Sequence, residues 1–290
     1  MEYLIHILVL VAVYTIVVVG LDLSVGHGGL ICLAQAAFYG IGAYSTAILT
    51  LWCGSPFMFN VLLAVVIATA ASVAVSVPAL RLRDEHYAIG TLGFQVIIFS
   101  VFHNWMTMTG GPLGIPGIPR PEVFGWTVRT ELEFLLLAGV GAVLACTIVW
   151  RLAHSPLGRI LRGIREDEVF TAALGKNPIR CRLIATATSA ALAAVAGCLY
   201  AHYVTYIDPS SFGIMESILM LSMVILGGAG SRWGPLVGAA CLVLLPELLT
   251  FIGLSGSAAA DVRQLLYGSL LILLMVFRPQ GLAGAYRLDR

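Results

Sequence analysis

Apolar residues in this chain come in long blocks rather than in short alternating runs. Mostly apolar blocks lie near 3–20, 28–53, 57–80, 87–108, 133–153, 183–206, 212–228, 235–254 and 262–277. A helix needs about 20 such residues to cross the hydrocarbon core of a bilayer. The pattern predicts about nine crossings, within a range of about 8–10 transmembrane segments. None of the blocks carries the ten-residue alternation of an outer-membrane β-strand. Backbone polar groups in lipid must be satisfied within each span. The expected fold is therefore an all-α integral membrane protein, a polytopic helical bundle. The second block follows SVGHGG and contains GIGAY. Glycine at that density lets helices approach closely or breaks a helix in mid-membrane. This block is the one expected to be broken or re-entrant, with Gly26, Gly40 and Gly42 as structural glycines. LGGAG, with Gly227, Gly228 and Gly230, predicts a tight connection between two helices.

Composition agrees. Of 290 residues, 59% are hydrophobic and 11% charged, against roughly a quarter charged in soluble domains. The mean hydropathy is +0.96. A net charge of +1 and the lack of any Lys/Arg stripe with interleaved aromatics exclude nucleic acid as a partner. Cys32, Cys53, Cys146, Cys181, Cys198 and Cys241 form no CxxC pair and read as small buried hydrophobes. The histidines are scattered without HExxH, so no metal site is expected. The N-terminus has Glu2 where a signal peptide has a basic region, and no small-residue cleavage site precedes GLDLSVG. It reads as a retained first span.

Positive charge sets the orientation. Nine alternating spans put Arg81, Arg83, Arg151, Arg159, Arg162, Arg165, Lys176, Arg180, Arg182, Arg232, Arg278, Arg287 and Arg290 on one side, thirteen of the sixteen cations. Arg120, Arg129 and Arg263 fall on the other. The cation-rich side is then cytoplasmic, with the N-terminus outside. A fully re-entrant second block would move only the N-terminus inside.

The most charged run, REDEVFTAALGKN (165–177), lies on that cytoplasmic side. Ser155 and Pro156 predict a helix start. Arg159, Arg162 and Glu166 share a face. Gly175 predicts the helix end, with Lys176 at its negative pole. A short amphipathic helix outside the membrane, over about 155–180, is expected to dock a cytoplasmic partner; the alternative is a solvated loop carrying topology charges. The candidate coupling residues are Arg162, Arg165, Glu166, Asp167, Glu168, Gly175 and Lys176. No GxxxxGK[ST] and no catalytic constellation accompany them, so no enzyme activity is expected of this chain.

Inside the apolar blocks, ionisable and amide side chains are the exceptions. Asp22, Gln35, Gln95, Glu216 and Glu247 are candidates for a substrate path. Each has a plainer reading, as an interfacial residue or an interhelical hydrogen bond. Residues 109–132 are rich in glycine and proline, which suits either a shaped periplasmic surface or a merely compact loop.

Six fragments carry a family resemblance: AAFYGIGAY (36–44), TGGPLGIPGIPRP (109–121), SPLGRILRGIREDEVFTAALG (155–175), YAHYVTYIDPSSF (200–212), ILGGAGSRWGPLVGA (225–239) and FRPQGL (277–282). In this order, the chain resembles the permeases of bacterial branched-chain amino-acid ABC transporters, in particular the LivM-type subunit, over nearly its whole length. The resemblance implies one permease domain over 1–290, in the bacterial inner membrane. It also implies a second homologous permease subunit, two ABC ATPase subunits holding ATP and Mg, and a periplasmic substrate-binding protein, with no cofactor in this chain. The implied substrate is a branched-chain or similar small aliphatic amino acid. The chain departs from the family's SLGHAAF at Cys32, Ala34 and Gln35, which keeps urea and short amides open. Val169, Phe170 and Thr171 stand where Glu-Ala-Ala would be expected. An ion-coupled secondary transporter, a membrane scaffold and an intramembrane enzyme are the competing classes.

Overall fold

The computed structural model describes residues 2–80, 84–123, 126–251, 268–269 and 281–283. Most of the block 262–277 lies outside them, as do Arg81, Arg83, Arg263, Arg278, Arg287 and Arg290. In chain order the helices are α1 (Glu2–Asp22), α2 (Gln35–Cys53), α3 (Phe57–Ala79), α4 (Asp84–Asn104), α5 (Met106–Thr109), α6 (Glu131–His154), α7 (Pro156–Glu166), α8 (Glu168–Ala173), α9 (Pro178–Val204), α10 (Ile214–Gly227) and α11 (Gly234–Phe251). A π-helical turn, Leu23–His27, extends α1. Among the described residues six helices are long and apolar enough to cross a membrane: α1 with its π turn, α2, α3, α4, α6 and α9.

Two apolar blocks differ from simple spans. The second does not begin as helix: residues 28–34 are irregular and α2 starts at Gln35. The seventh, 212–228, is corrected to a helix of 14 residues. That is about 21 Å long, against about 30 Å of hydrocarbon. Pro209 forces a tight turn before it, and Asp208 accepts the Ser211 hydroxyl at 2.6 Å, so the chain enters as turn rather than helix.

Contacts fix the directions of the central helices. His6 of α1 meets Tyr203 of α9, while Gly20 meets Leu192, so the two are antiparallel. Gln35 pairs with Ser189, Gly42 packs on the Ala194 backbone, and Thr46 meets His202, so α2 and α9 run the same way. Ser189 is about 17 Å along α9 from Pro178. The start of α2 is therefore roughly midway across the bundle. A Cβ at Gly42 or at Gly197 would strike the facing backbone, which explains why this pair of helices needs small residues at the crossing. α1, α2 and α9 form the buried centre; α3, α4 and α6 turn residues such as Leu62, Ile97 and Leu136 outward.

One end of the bundle gathers the cations Arg151, Arg159, Arg162, Arg165, Lys176, Arg180, Arg182 and Arg232. The opposite end carries the glycine- and proline-rich loop. Its strand β1 (Ile115–Pro116) pairs antiparallel with β4 (Tyr206–Ile207), and β2 (Glu122–Val123) with β3 (Trp126–Thr127). His202 Nδ1 is 2.6 Å from the Pro119 carbonyl, and the Ile118 amide donates to Thr205. These bonds fasten the loop to the end of α9.

The segment 155–175 is a second correction. It forms two helices, not one. Asp167 breaks them with extended backbone (φ −153°), and its carboxylate accepts the Phe170 amide at 2.8 Å. Aspartate is a far better N-cap than a helix-interior residue. Ser155 holds the N-cap position of α7 before Pro156, but its hydroxyl turns back to Leu152 O instead of capping. Gly175 takes φ +78° just after α8, as a terminating glycine does.

Candidate functional site

Two polar clusters interrupt the apolar interior, and both form where a helix is broken. The first lies midway across. A helix that starts there leaves its first amides without partners, and lipid supplies none. Neighbouring elements supply them. The Ala36 amide donates to Ser217 Oγ of α10 at 2.9 Å, and the Ala37 amide to Gln95 Oε1 of α4 at 2.7 Å. Ser217 Oγ donates on to Gln95 Oε1 at 3.2 Å, and Gln95 Nε2 donates to the Phe212 carbonyl at 2.7 Å. One amide side chain thereby caps α2 and anchors the turn before α10. Thr91 Oγ1 accepts from the Leu33 amide. Gln35 accepts from Ser189 at 3.2 Å and reaches the Val17 and Ser189 carbonyls at 3.5 Å. Gln35, Gln95 and Ser217 are fully buried. Close by, the Tyr14 hydroxyl donates to Glu216 at 2.6 Å. Glu247 occupies a position on α11, and its side chain lies outside the described part.

The second cluster is at the cationic end. Asp22 Oδ1 accepts the Gly230 amide at 2.7 Å, and Asp22 Oδ2 is 3.6 Å from His27 Nδ1. Asp22 is 2% exposed, so this carboxylate is held inside the protein. The Arg165 guanidinium donates to the Gly26 carbonyl in the π turn. Gly26 is wedged: a Cβ there would strike both the Asp22 carboxylate and the Gly230 nitrogen. Arg162, one turn earlier on α7, donates to the Ala153 carbonyl at the end of α6 at 3.0 Å and to Gly158 O at 3.3 Å. Arg232 stacks over the Trp150 ring at 4.7 Å. The amides of Leu282 and Ala283 donate to the last carbonyls of α10, Leu226 and Gly227. A cavity of about 160 Å³ remains between Gly26, His27, Arg162, Arg165, Glu166 and Gly230.

The structure thus turns Arg165, half-buried, toward the bundle, while Arg162 lies back along the end of α6 and stays exposed. Glu168 pairs with Arg182 at 3.0 Å, Asp167 caps α8, and Glu166 and Lys176 stay exposed. Beside them α8 presents apolar side chains to the outside: Val169 is 79% exposed, Phe170 64% and Leu174 64%. Of the remaining glycines, Gly40 faces Phe102 and Phe212, Gly227 faces Gly234 and Gly238, and Gly228 opens the turn at positive φ. Sequence reading passed over Ser217, Thr91, His27 and Arg232. A lone serine or threonine in an apolar run carries no signal of its own. His27 and Arg232, beside glycine-rich stretches already singled out, could have been found.

The family described as branched-chain amino acid transport system / permease component matches residues 3–275. The chain is 35% identical to the high-affinity branched-chain amino acid transport system permease protein LivM of Salmonella typhimurium, over 93% of this chain and 67% of that protein. It is 36% identical to the Escherichia coli LivM, over 94% and 68%. It is 25% identical to the Escherichia coli LivH permease protein, over 96% and 93%. No solved structure matches it.

Proposed function

Because this chain belongs to the branched-chain amino acid transport permease family, we propose that it is a membrane-spanning permease subunit of an ABC importer for branched-chain or similar small aliphatic amino acids. It works in the bacterial inner membrane as a multi-pass protein. The cationic end faces the cytoplasm, since eight of the ten described Lys and Arg residues gather there. It pairs with a second, homologous permease; similarity to both LivM and LivH proteins supports that pairing. Two ABC ATPase subunits, with ATP and Mg, supply the energy, and a periplasmic binding protein delivers the substrate. No residue of this chain hydrolyses ATP.

The observation that carries this reading is α8. Three large apolar side chains, Val169, Phe170 and Leu174, are exposed beside the acidic Glu166 at the cationic end. Exposed apolar surface interleaved with charge fits a protein groove better than solvent. Asp167 and Gly175 fix both ends of the helix, so the surface is rigid. At the opposite end Leu113, 81% exposed, sits on the fastened loop, which suits a docking surface for the binding protein. Cys32, Ala34 and Gln35, where the chain departs from its family, are buried against neighbouring helices. They bear on how α2 starts, which supports keeping an amino acid as substrate.

The test is Phe170→Asp combined with Glu166→Lys. The altered permease should reach the membrane at normal levels, because both side chains are exposed and neither lies within a span. ATPase subunits should no longer co-purify, and leucine uptake should fall at least tenfold. Normal uptake with the ATPase still bound would show that α8 is only a charged anchor.

A further inference from the structure

We propose that Asp22, the π turn of α1 and Gly230 form a transmission knot that ties the motor-facing helices α7 and α8 to the half-helix α10. The inference rests on the importer reading above and names the positioning residues through which it works.

Three chain segments converge at Gly26. α1 arrives through its π turn, which widens the backbone where the Gly26 carbonyl accepts from Arg165. The α10–α11 turn arrives through the Gly230 amide, held by Asp22. α7 arrives through Arg165, whose stem lies against Gly29. Gly26 has no room for a side chain between Asp22 and Gly230, so the turn cannot shift without dragging α1. Packing this tight is bistable rather than continuously deformable, which is how a small shift becomes a helix movement.

The geometry gives that movement a destination. α10 runs from the knot to Gly213, where its first turn meets Gln95 through Ser217 and Tyr14 through Glu216. It is too short to span on its own, so its far end lies inside the membrane, next to the start of α2. A push on α8 reaches α7, then the knot, then α10. Asp22 is a positioning residue here: it acts through the Gly230 amide. A buried carboxylate at the end of a span is expensive in lipid, and a tie of this kind gives it a role. A neutral acceptor of the same shape would do the same job, because the geometry needs an oxygen at Oδ1 and not a charge.

The experiment uses the whole transporter, reconstituted in liposomes with its ATPase and binding protein. Leucine imported and ATP hydrolysed are counted together. Asp22→Leu, which removes the acceptor, should lower leucine imported per ATP at least fivefold, while Asp22→Asn should stay within twofold of the unaltered protein. Arg165→Ala should lower the ratio by a similar factor, and Arg165→Lys should restore most of it. The double variant Asp22→Leu, Arg165→Ala should be no worse than the worse single variant, because both cut one path. An unchanged ratio in Asp22→Leu overturns the knot, as does an Asn variant as impaired as Leu, or single losses that multiply in the double variant. If Asp22→Leu fails to insert, the Asn, Ala and Lys arms decide alone: loss in Asn, or equal loss in Ala and Lys, overturns the proposal. Failure of the unaltered chain to import any branched-chain amino acid would strike the importer reading itself, an outcome distinct from all of these.

Discussion

The two polar clusters solve the same problem, a helix interrupted inside a bundle, with different chemistry. Midway across, the groups that meet backbone amides are neutral, Gln95, Ser217 and Thr91, and the one carboxylate beside them, Glu216, takes the Tyr14 hydroxyl instead. At the cationic end the groups are ionisable: Asp22, His27, Arg162 and Arg165. Depth explains the difference. A charge at the centre of the bilayer costs about 2.5–3.5 kcal/mol on insertion scales, whereas an amide caps a helix start at far lower cost. Near an aqueous face the cost of charge falls, and long cationic side chains can reach across several elements. The neutral cluster therefore suits a break that stays where it is. The charged one suits a junction between parts that must move together.

If that contrast is right, the neutral cluster carries more of the stability. Gln95→Leu should show it most strongly. Leucine fills the space but removes the acceptor for the Ala37 amide and for Ser217, and the donor to Phe212. Each buried polar group left without a partner costs about 1–3 kcal/mol, so a loss of about 2–4 kcal/mol is expected. It reads out as a lower thermal unfolding midpoint of the purified protein in detergent. An unchanged midpoint would mean that α2 keeps its start without Gln95, and the comparison fails.

Ser217→Ala should cost less, about 1–2 kcal/mol. It orphans the Ala36 amide, while Gln95 still holds Ala37 and Phe212. The two residues share Gln95 Oε1, so the double variant should lose less than the two single losses combined. Strict additivity, measured by the same midpoint, would separate residues that the structure joins.

Much of this was legible along the chain. The apolar blocks are long, and length alone identifies helices such as α3, α6 and α9. The glycine run around Gly26 marks where a span breaks, and Gly42 marks a close helix crossing, because only glycine tolerates such close backbone contact. Gly175 was readable as a helix end for a similar reason, its φ of +78°. Partnership was not readable. Gln35 and Gln95 look alike in sequence, and nothing local says that Gln95 caps the amide of Ala37, 58 residues earlier. The bonds that Arg162 and Arg165 make to the ends of α6 and α1 were hidden too. Helical spacing puts them on one face, but which face meets the bundle is decided by the ends of α1 and α6. The break at Asp167 could have been foreseen from its capping propensity; the apolar-periodic residues after it outweighed that single residue.

The smallest expected effect comes from a charge pair outside both clusters. Glu168 of α8 meets Arg182 of α9 at 3.0 Å. Arg182 is almost fully buried, but the Glu168 side chain is 44% exposed, so water and salt weaken the pair. Glu168→Gln keeps a hydrogen-bond acceptor and the shape while removing the charge. It should cost about 0.5–1 kcal/mol at low salt, and the difference from the unaltered protein should shrink as ionic strength rises. The reason is geometric. α8 is already held by the Asp167 cap and by the Thr171 hydroxyl bond to Asp167 O, so the pair adds to a helix that would stand without it. A loss as large as that of Gln95→Leu, insensitive to salt, would mean that charge at the cationic end fastens the fold as strongly as the neutral caps do. The division between a fixed break and a moving junction would then have no basis in stability.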